Sequence, residues 1–253
     1  SHEVAPEFRE FERFSTAVVN AYLGPVLASY VEKLGPRLDE AGVKGPRHIT
    51  QSNGGVMSLA TARDNAVRTV LSGPATGIVG ALRVGALSGH ENLITFDMGG
   101  TSTDVSLIEG GRPKLAAEME VHGYPLKTPM LDIHTVGAGG GSIAHIDAGG
   151  HMKVGPRSAG SVPGPVCYGL GNEEATVTDA NVVLQVLNPN YLLGGRMAID
   201  QKKAKAAIDR LAAGLGLDPM TTAQGIISVV TANMAKAIRV ISVQRGYDPR
   251  DYA

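Results

Sequence analysis

The stretch Leu93-Ile94-Thr95-Phe96-Asp97-Met98-Gly99-Gly100-Thr101-Ser102-Thr103-Asp104-Val105-Ser106-Leu107-Ile108 restricts what this chain can fold into more than any other. It has an apolar run on each side of a Gly-Gly pair, the pattern of two strands joined by a tight turn. A plain hairpin needs only the glycines. Here three hydroxyl residues, Thr101, Ser102 and Thr103, and two acids, Asp97 and Asp104, crowd the same turn. Glycine lets the backbone adopt positive φ and approach a ligand closely, so successive N–H groups converge on an anion. Mg²⁺ takes few carboxylates and completes its shell with phosphate oxygens and water, which is what Asp97 and Asp104 on either side of such a turn would supply.

The chain has 253 residues, 43% hydrophobic and 19% charged, enough for one large or two small globular domains. A formal net charge of -1 gives no electrostatic reason to expect nucleic acid or a membrane surface as a partner. No uninterrupted apolar run reaches the length of a bilayer span, and no secretory signal opens the sequence. The single cysteine, Cys167, excludes an intramolecular disulfide and a multi-cysteine zinc site, so a reduced, cytoplasmic setting is expected. The 33 glycines concentrate between Gly73 and Gly171, marking tight loops and close backbone approach.

Phe11, Phe14, Val18, Tyr22, Val26, Tyr30, Leu34 and Leu38 recur at helical spacing, predicting a helix that Pro25 and Pro36 kink or divide, with the aromatic stripe used for packing. A short strand over residues 48–53 precedes a helix capped by Ser58. Residues 68–71 read as a strand, followed by a Gly- and Ala-rich helix opened by Ser72 and Pro74, whose small residues imply tight contact with a neighbour. After the central hairpin, Gly110-Gly111 turns into a third strand over residues 114–121, completing an antiparallel meander. The cluster Gly137 to Gly141 reads either as a backbone-amide cradle with Asp132 and His134 beside it or as a glycine hairpin. His122, His145 and His151 are expected to be structural or solvated. Residues 154–169 form a loop by composition, with Arg157 an anion contact and Cys167 a packing thiol. Thr178 or Asp179 caps the helix that opens at residues 176–181, or Asp179 is a polar residue near a cleft. Asp200 caps a helix from Gln201, and a longer helix starts at Thr221 or Thr222 with Met234 in its apolar stripe.

A strand, a Gly-Pro helix, then Phe96-Asp97-Met98-Gly99-Gly100-Thr101-Ser102-Thr103-Asp104-Val105-Ser106 resembles the second phosphate-binding region of the actin, Hsp70 and sugar kinase superfamily. Within it, the wording is similar to the hydantoinase A and 5-oxoprolinase family. The supporting stretches are residues 12–22, Leu71-Ser72-Gly73-Pro74-Ala75, residues 132–142 and Thr176-Val177-Thr178-Asp179-Ala180-Asn181.

The resemblance implies an α/β fold: a ribonuclease H-like (actin-like ATPase) domain, with a mixed sheet flanked by helices. It implies that residues 1–253 contain the second such domain of a larger subunit, whose N-terminal phosphate-binding domain and adenosine-binding segment lie outside this sequence. The implied activity is ATP-dependent hydrolysis of a cyclic amide, of hydantoin or 5-oxoproline type, through phosphorylation of the amide oxygen, with a hydantoinase B-like partner. ATP and Mg²⁺ are the implied cofactors. Gly99, Gly100, Thr101 and Thr103 would hold phosphate, Asp97 and Asp104 metal or water, and His134 with Gly139, Gly140 and Gly141 the substrate or its oxyanion. The fragment alone would be inactive. Two alternatives stay open: an ATP-dependent carboxylase subunit of acetone or acetophenone type, and a nucleotide-regulated interaction module.

Overall fold

A computed structural model describes every residue except Ala117 and His122, so the expectations that fall on those two lie outside the described residues. The chain divides into two compact units. One comprises Ser1–Thr95, Ser106–Ile133 and Tyr252–Ala253, the other Phe96–Val105 and His134–Asp251.

The first unit opens with helix α1 (Glu10–Glu40), which runs on through Pro25 and Pro36 where a kink or division was expected. Its inner face carries Thr16, fully buried, whose hydroxyl donates to the Glu12 carbonyl and accepts from the Lys127 amide. Val19 packs nearby against Val67, Leu126 and Met130. The aromatic stripe is on the other face: Phe11, Phe14 and Tyr22 are 74%, 67% and 80% exposed, so it does not pack as expected. α1 is apolar on both faces, and only one of them is covered. Strands β1 (His48–Thr50) and β2 (Val56–Ser58) pair antiparallel, and Ser58 caps α2 (Leu59–Asp64) by accepting from the Thr61 amide. Residues 68–71, expected as a strand, form none: a 3₁₀ turn, Ala66–Thr69, buries Ala66 and Val67 and leads through Val70 and Leu71 into the next helix.

Helix α3 (Ser72–Leu87) starts from Leu71, held in the left-handed region at φ 58, not from a Ser72 cap. A Cβ on Gly85 would come within 2.5 Å of a Leu93 methyl, which explains the small residues of this helix by the closeness of the next strand. That strand, β3 (Leu93–Met98), lies beside β4 (Thr103–Glu109), which pairs antiparallel with β5 (Arg112–Pro113) across Gly110-Gly111, both at positive φ. The meander is therefore present with a two-residue third strand. The rest of the expected strand splits: β6 (Leu115–Ala116) and β7 (Met119–Val121) pair respectively with β9 (Met130–Leu131) and β8 (Tyr124–Leu126). The Ala253 amide donates to the Asn92 carbonyl and its carbonyl accepts from Ile94, the bond pattern of a parallel pair at the edge of β3.

The second unit holds β10 (His134–Val136), the antiparallel pair β11 (Ser142–Ile146) and β12 (Met152–Ser158), and helices α4 (Val177–Val183), α5 (Gln201–Leu215) and α6 (Pro219–Ile241). β12 occupies part of the segment that composition assigned to a loop. Asp200 caps α5 as expected, whereas α6 begins at Pro219 behind an Asp218 cap, earlier than expected. Ala138, Val154, Val177, Ala180, Ile208, Ile226 and Val230 form the core, with Met234 at its border. By length and mean hydropathy both α1 and α6 reach what a bilayer span requires, although neither is an uninterrupted apolar run. For α6, burial of Ile226, Val230 and Ile241 accounts for this apolarity.

Candidate functional site

The glycine turn between β3 and β4 belongs to the second unit. It is closed by one bond, Gly99 N–H to the Ser102 carbonyl at 2.9 Å. The amides of Gly100 and Thr101, between them, have no acceptor among the described residues. Both residues line an open hollow of about 370 Å³ that they share with Gly140, Gly160, Ser161 and Thr178. Backbone amides without an acceptor, on a turn that borders open space, are what an anion site requires. Another hollow, about 390 Å³ and lined by Lys203 and Arg210, contains none of the expected site residues.

Carrying the closing bond down the hairpin sets Asp97 opposite Asp104, and residues opposite one another on paired strands share a face. Asp97 is exposed; Asp104 is half-buried and accepts from the Thr135 hydroxyl at 2.5 Å. Among the described residues no group of three or more His, Cys, Asp or Glu is placed to hold a metal ion. Any cation at this pair of acids must draw its other ligands from phosphate and water.

Three expected roles change. Thr103 is fully buried and its hydroxyl donates to the Ala138 carbonyl at 2.5 Å, so it is a structural group and not a phosphate donor. His134 pairs with Val105 while Asp104 pairs with Thr135, and alternation puts the His134 side chain on the sheet face opposite Asp104. The two cannot act on one atom from the same side. Gly139, Gly140 and Gly141 have no free amide: they donate to the Ser142 hydroxyl at 2.8 Å, the Gly99 carbonyl at 3.0 Å and the Gly100 carbonyl at 2.6 Å. The oxyanion cradle expected there is occupied by the protein itself.

The reason for the glycine triplet is steric. A Cβ on Gly139 would lie 2.8 Å from the Gly100 carbonyl, and one on Gly141 would lie 2.9 Å from the same oxygen. The two glycine turns are stacked backbone to backbone, an approach only glycine permits.

Asp179 proves to be a cap. Fully buried, its carboxylate accepts from the amides of Val166, Cys167 and Thr176 and from the Thr176 hydroxyl, with a reciprocal bond that completes a capping box. It ties the start of α4 to residues 166–167. Cys167 is buried beside it, and burial first, then the Asp179 carboxylate, pushes its thiol well above the ordinary range. It is a packing group, as expected. Arg157 does not wait for an anion; it is ion-paired with Glu174 at 2.6 Å. His145 and His151 belong to the β11–β12 hairpin, where Asp147 collects the amides of Gly149 and His151 and is lowered by them. The sequence assigns no role to Ser142, Ser158 or Ser161, and it offers Thr178 as a helix cap, a position the structure gives to Thr176.

Residues 13–253 match the sequence profile of the hydantoinase/oxoprolinase family. The chain is 46% identical over 253 residues to the caprolactamase subunit alpha of Pseudomonas jessenii, covering all of this chain and 36% of that protein. The crystal structure of the ATP-dependent caprolactamase from that organism superposes with a TM-score of 0.81 over 99% of this chain. A nucleotide-free acetone carboxylase structure, 30% identical, superposes with a TM-score of 0.91 over 99% of this chain and 35% of its own. With 5-oxoprolinase 1 of Arabidopsis thaliana the identity is 36% over 271 residues, all of this chain and 21% of that protein. The chain thus spans about a third or less of the length of these relatives. The likeness bears out the expected fold class, α/β of actin-like ATPase type.

Proposed function

This chain belongs to the hydantoinase/oxoprolinase family, and from that premise we propose that it is the part of an ATP-dependent cyclic amide hydrolase that grips the nucleotide's phosphates. The observation that carries the reading is a glycine turn whose Gly100 and Thr101 amides have no acceptor among the described residues and whose residues border an open hollow, with Asp97 and Asp104 on the two strands that lead into and out of it. Gly100 and Thr101 would donate to phosphate oxygens, and the two acids would hold Mg²⁺ directly or through water. Phosphoryl transfer depends mainly on positioning and charge neutralisation, which such a turn supplies.

The chemistry follows from the substrate. An unstrained lactam is a poor electrophile, and moving the γ-phosphoryl group of ATP to its carbonyl oxygen creates a good leaving group there. One water then adds to the ring carbon and the C–N bond breaks, the nitrogen taking a proton, to leave the amine and an acyl phosphate; a second water hydrolyses that acyl phosphate, giving ADP, phosphate and the ring-opened amino acid. In the longer protein this stretch would be the second actin-like ATPase domain, working in the cytoplasm with a hydantoinase B-like subunit. The names of two relatives, caprolactamase and 5-oxoprolinase, support a lactam as substrate.

The superposition on acetone carboxylase favours a second reading, in which the same phosphoryl transfer activates substrate or bicarbonate for carboxylation. ADP release by the full-length protein with its partner subunit separates them. Stimulation by caprolactam, hydantoin or 5-oxoproline supports the hydrolase, and stimulation only by bicarbonate with a ketone supports the carboxylase. Asp97→Asn and Asp104→Asn in that complex should each lower ATP turnover by about a hundredfold or more, the scale of losing a group that stabilises transferring charge. Unchanged turnover refutes the assignment of both acids.

A further inference from the structure

The unpaired amides of Gly100 and Thr101 are useful only if the turn carrying them is held still. One bond, Gly99 N–H to Ser102, closes it from within. Its shorter outside restraints come from the second glycine turn, since Gly140 and Gly141 donate to the carbonyls of Gly99 and Gly100 at 3.0 and 2.6 Å, and the Ser158 hydroxyl adds longer contacts to the Gly100 carbonyl and the Thr101 hydroxyl at 3.5 and 3.4 Å. Fixing those carbonyls also fixes the peptide planes whose N–H groups belong to Gly100 and Thr101, because each peptide unit is rigid.

The second turn is itself held by Thr178. Both the Thr178 amide and its hydroxyl donate to the Gly140 carbonyl, each at 2.8 Å. A Cβ on Gly140 would lie 3.0 Å from that hydroxyl, so the contact is close. Thr178 in turn sits in the first turn of α4, beside the buried Asp179 and its capping box. At the other end of the triplet the Ser142 hydroxyl accepts from Gly139.

We infer that Thr178 is a positioning residue for the phosphate turn, acting through Gly140 and Gly141 and not by touching the ligand. This rests on the nucleotide reading above. Its hydroxyl proton is committed to a carbonyl, which separates it from a phosphate donor even though the residue borders the hollow. Thr178→Val keeps the shape and the backbone bond and removes only the hydroxyl; Thr178→Ser keeps the hydroxyl.

The test uses the full-length protein with its partner, measuring amide exchange of the 96–105 segment without nucleotide and calorimetric affinity for ATP and AMP. In Thr178→Val, exchange of that segment should quicken and ATP should bind about tenfold more weakly, the scale of one lost hydrogen bond. AMP affinity should stay within twofold, and Thr178→Ser should restore the wild-type values. Unchanged exchange in the free protein, with ATP weakened, would make Thr178 a ligand contact and overturn the inference. Quicker exchange with unaltered ATP affinity would reduce it to a structural brace and overturn it equally. Should Thr178→Val fail to fold, Ser142→Ala probes the same turn from its other end with the same expected direction. A wild type that binds no ATP sinks the nucleotide reading, while the exchange rates still decide whether the brace exists.

Discussion

Thr101 and Thr103 stand two positions apart in one turn, and their surroundings assign them opposite tasks. Thr101 is exposed and borders the hollow, whereas Thr103 is sealed against the Ala138 carbonyl. Removing a buried, bonded hydroxyl leaves its partner unsatisfied, which costs about 1–3 kcal/mol. Thr103→Val should therefore lower the unfolding free energy by that amount, read as a lower urea midpoint at unchanged slope, and an unmoved midpoint would mean that the hydroxyl is not engaged. Cys167 makes a second residue-level case. Its thiol, raised by burial and then by Asp179, stays protonated in the folded chain when the unfolded chain's thiol, near about 8.5, has ionised. A group raised on folding adds stability that is complete below its unfolded value and declines as pH rises past it. From pH 8 to pH 10 the wild type should lose stability faster than Cys167→Ala, as read by urea titrations; parallel pH profiles would show the thiol to be open to solvent.

Among the elements, the caps were the most legible. Ser58 and Asp200 act through bonds within three residues of themselves, so local sequence contains both partners; at α4 the sequence offers Thr178 or Asp179, and the structure makes Thr176 the cap with Asp179 returning the bond. The same logic was available at Asp218-Pro219 and was missed in favour of Thr221. Helix α1 marks the limit of periodicity: spacing tells which side chains share a face and not what covers that face. Its buried side is fixed by Thr16 and Val19, whereas Phe11, Phe14 and Tyr22 stay exposed among the described residues. Phe11→Ser and Tyr22→Ser in the 253-residue chain should alter unfolding free energy by no more than about 0.5 kcal/mol, as for surface positions generally. A loss of several kcal/mol, the scale of emptying a core site, would show the aromatic side to be packed in solution.

For the molecule as a whole, the hairpin turn was readable because its glycines, hydroxyls and acids are contiguous. The stacking of residues 139–141 on residues 99–100 was not, because a glycine run looks the same whether its amides face a ligand or another backbone. On the proposed reading, that non-local fact reduces what this stretch would offer a phosphate to two amides without an acceptor and two carboxylates, with no lysine or arginine among the described residues lining the hollow. ATP carries several negative charges, and its transfer chemistry demands that they be neutralised and aligned. One cation between Asp97 and Asp104 offsets only part of that charge, and the acids themselves subtract from it. On the proposed nucleotide reading, the remaining positive groups and the adenosine contacts are expected from outside the residues that line this hollow. The 253-residue chain alone should accordingly release no ADP above background in a coupled assay with caprolactam, while the full-length protein with its partner does so under the same conditions. Lactam-stimulated ADP release by the 253-residue chain would show that the neutralising groups lie within it after all, and would return His134 or the cationic hollow at Lys203 and Arg210 to consideration as part of the machinery.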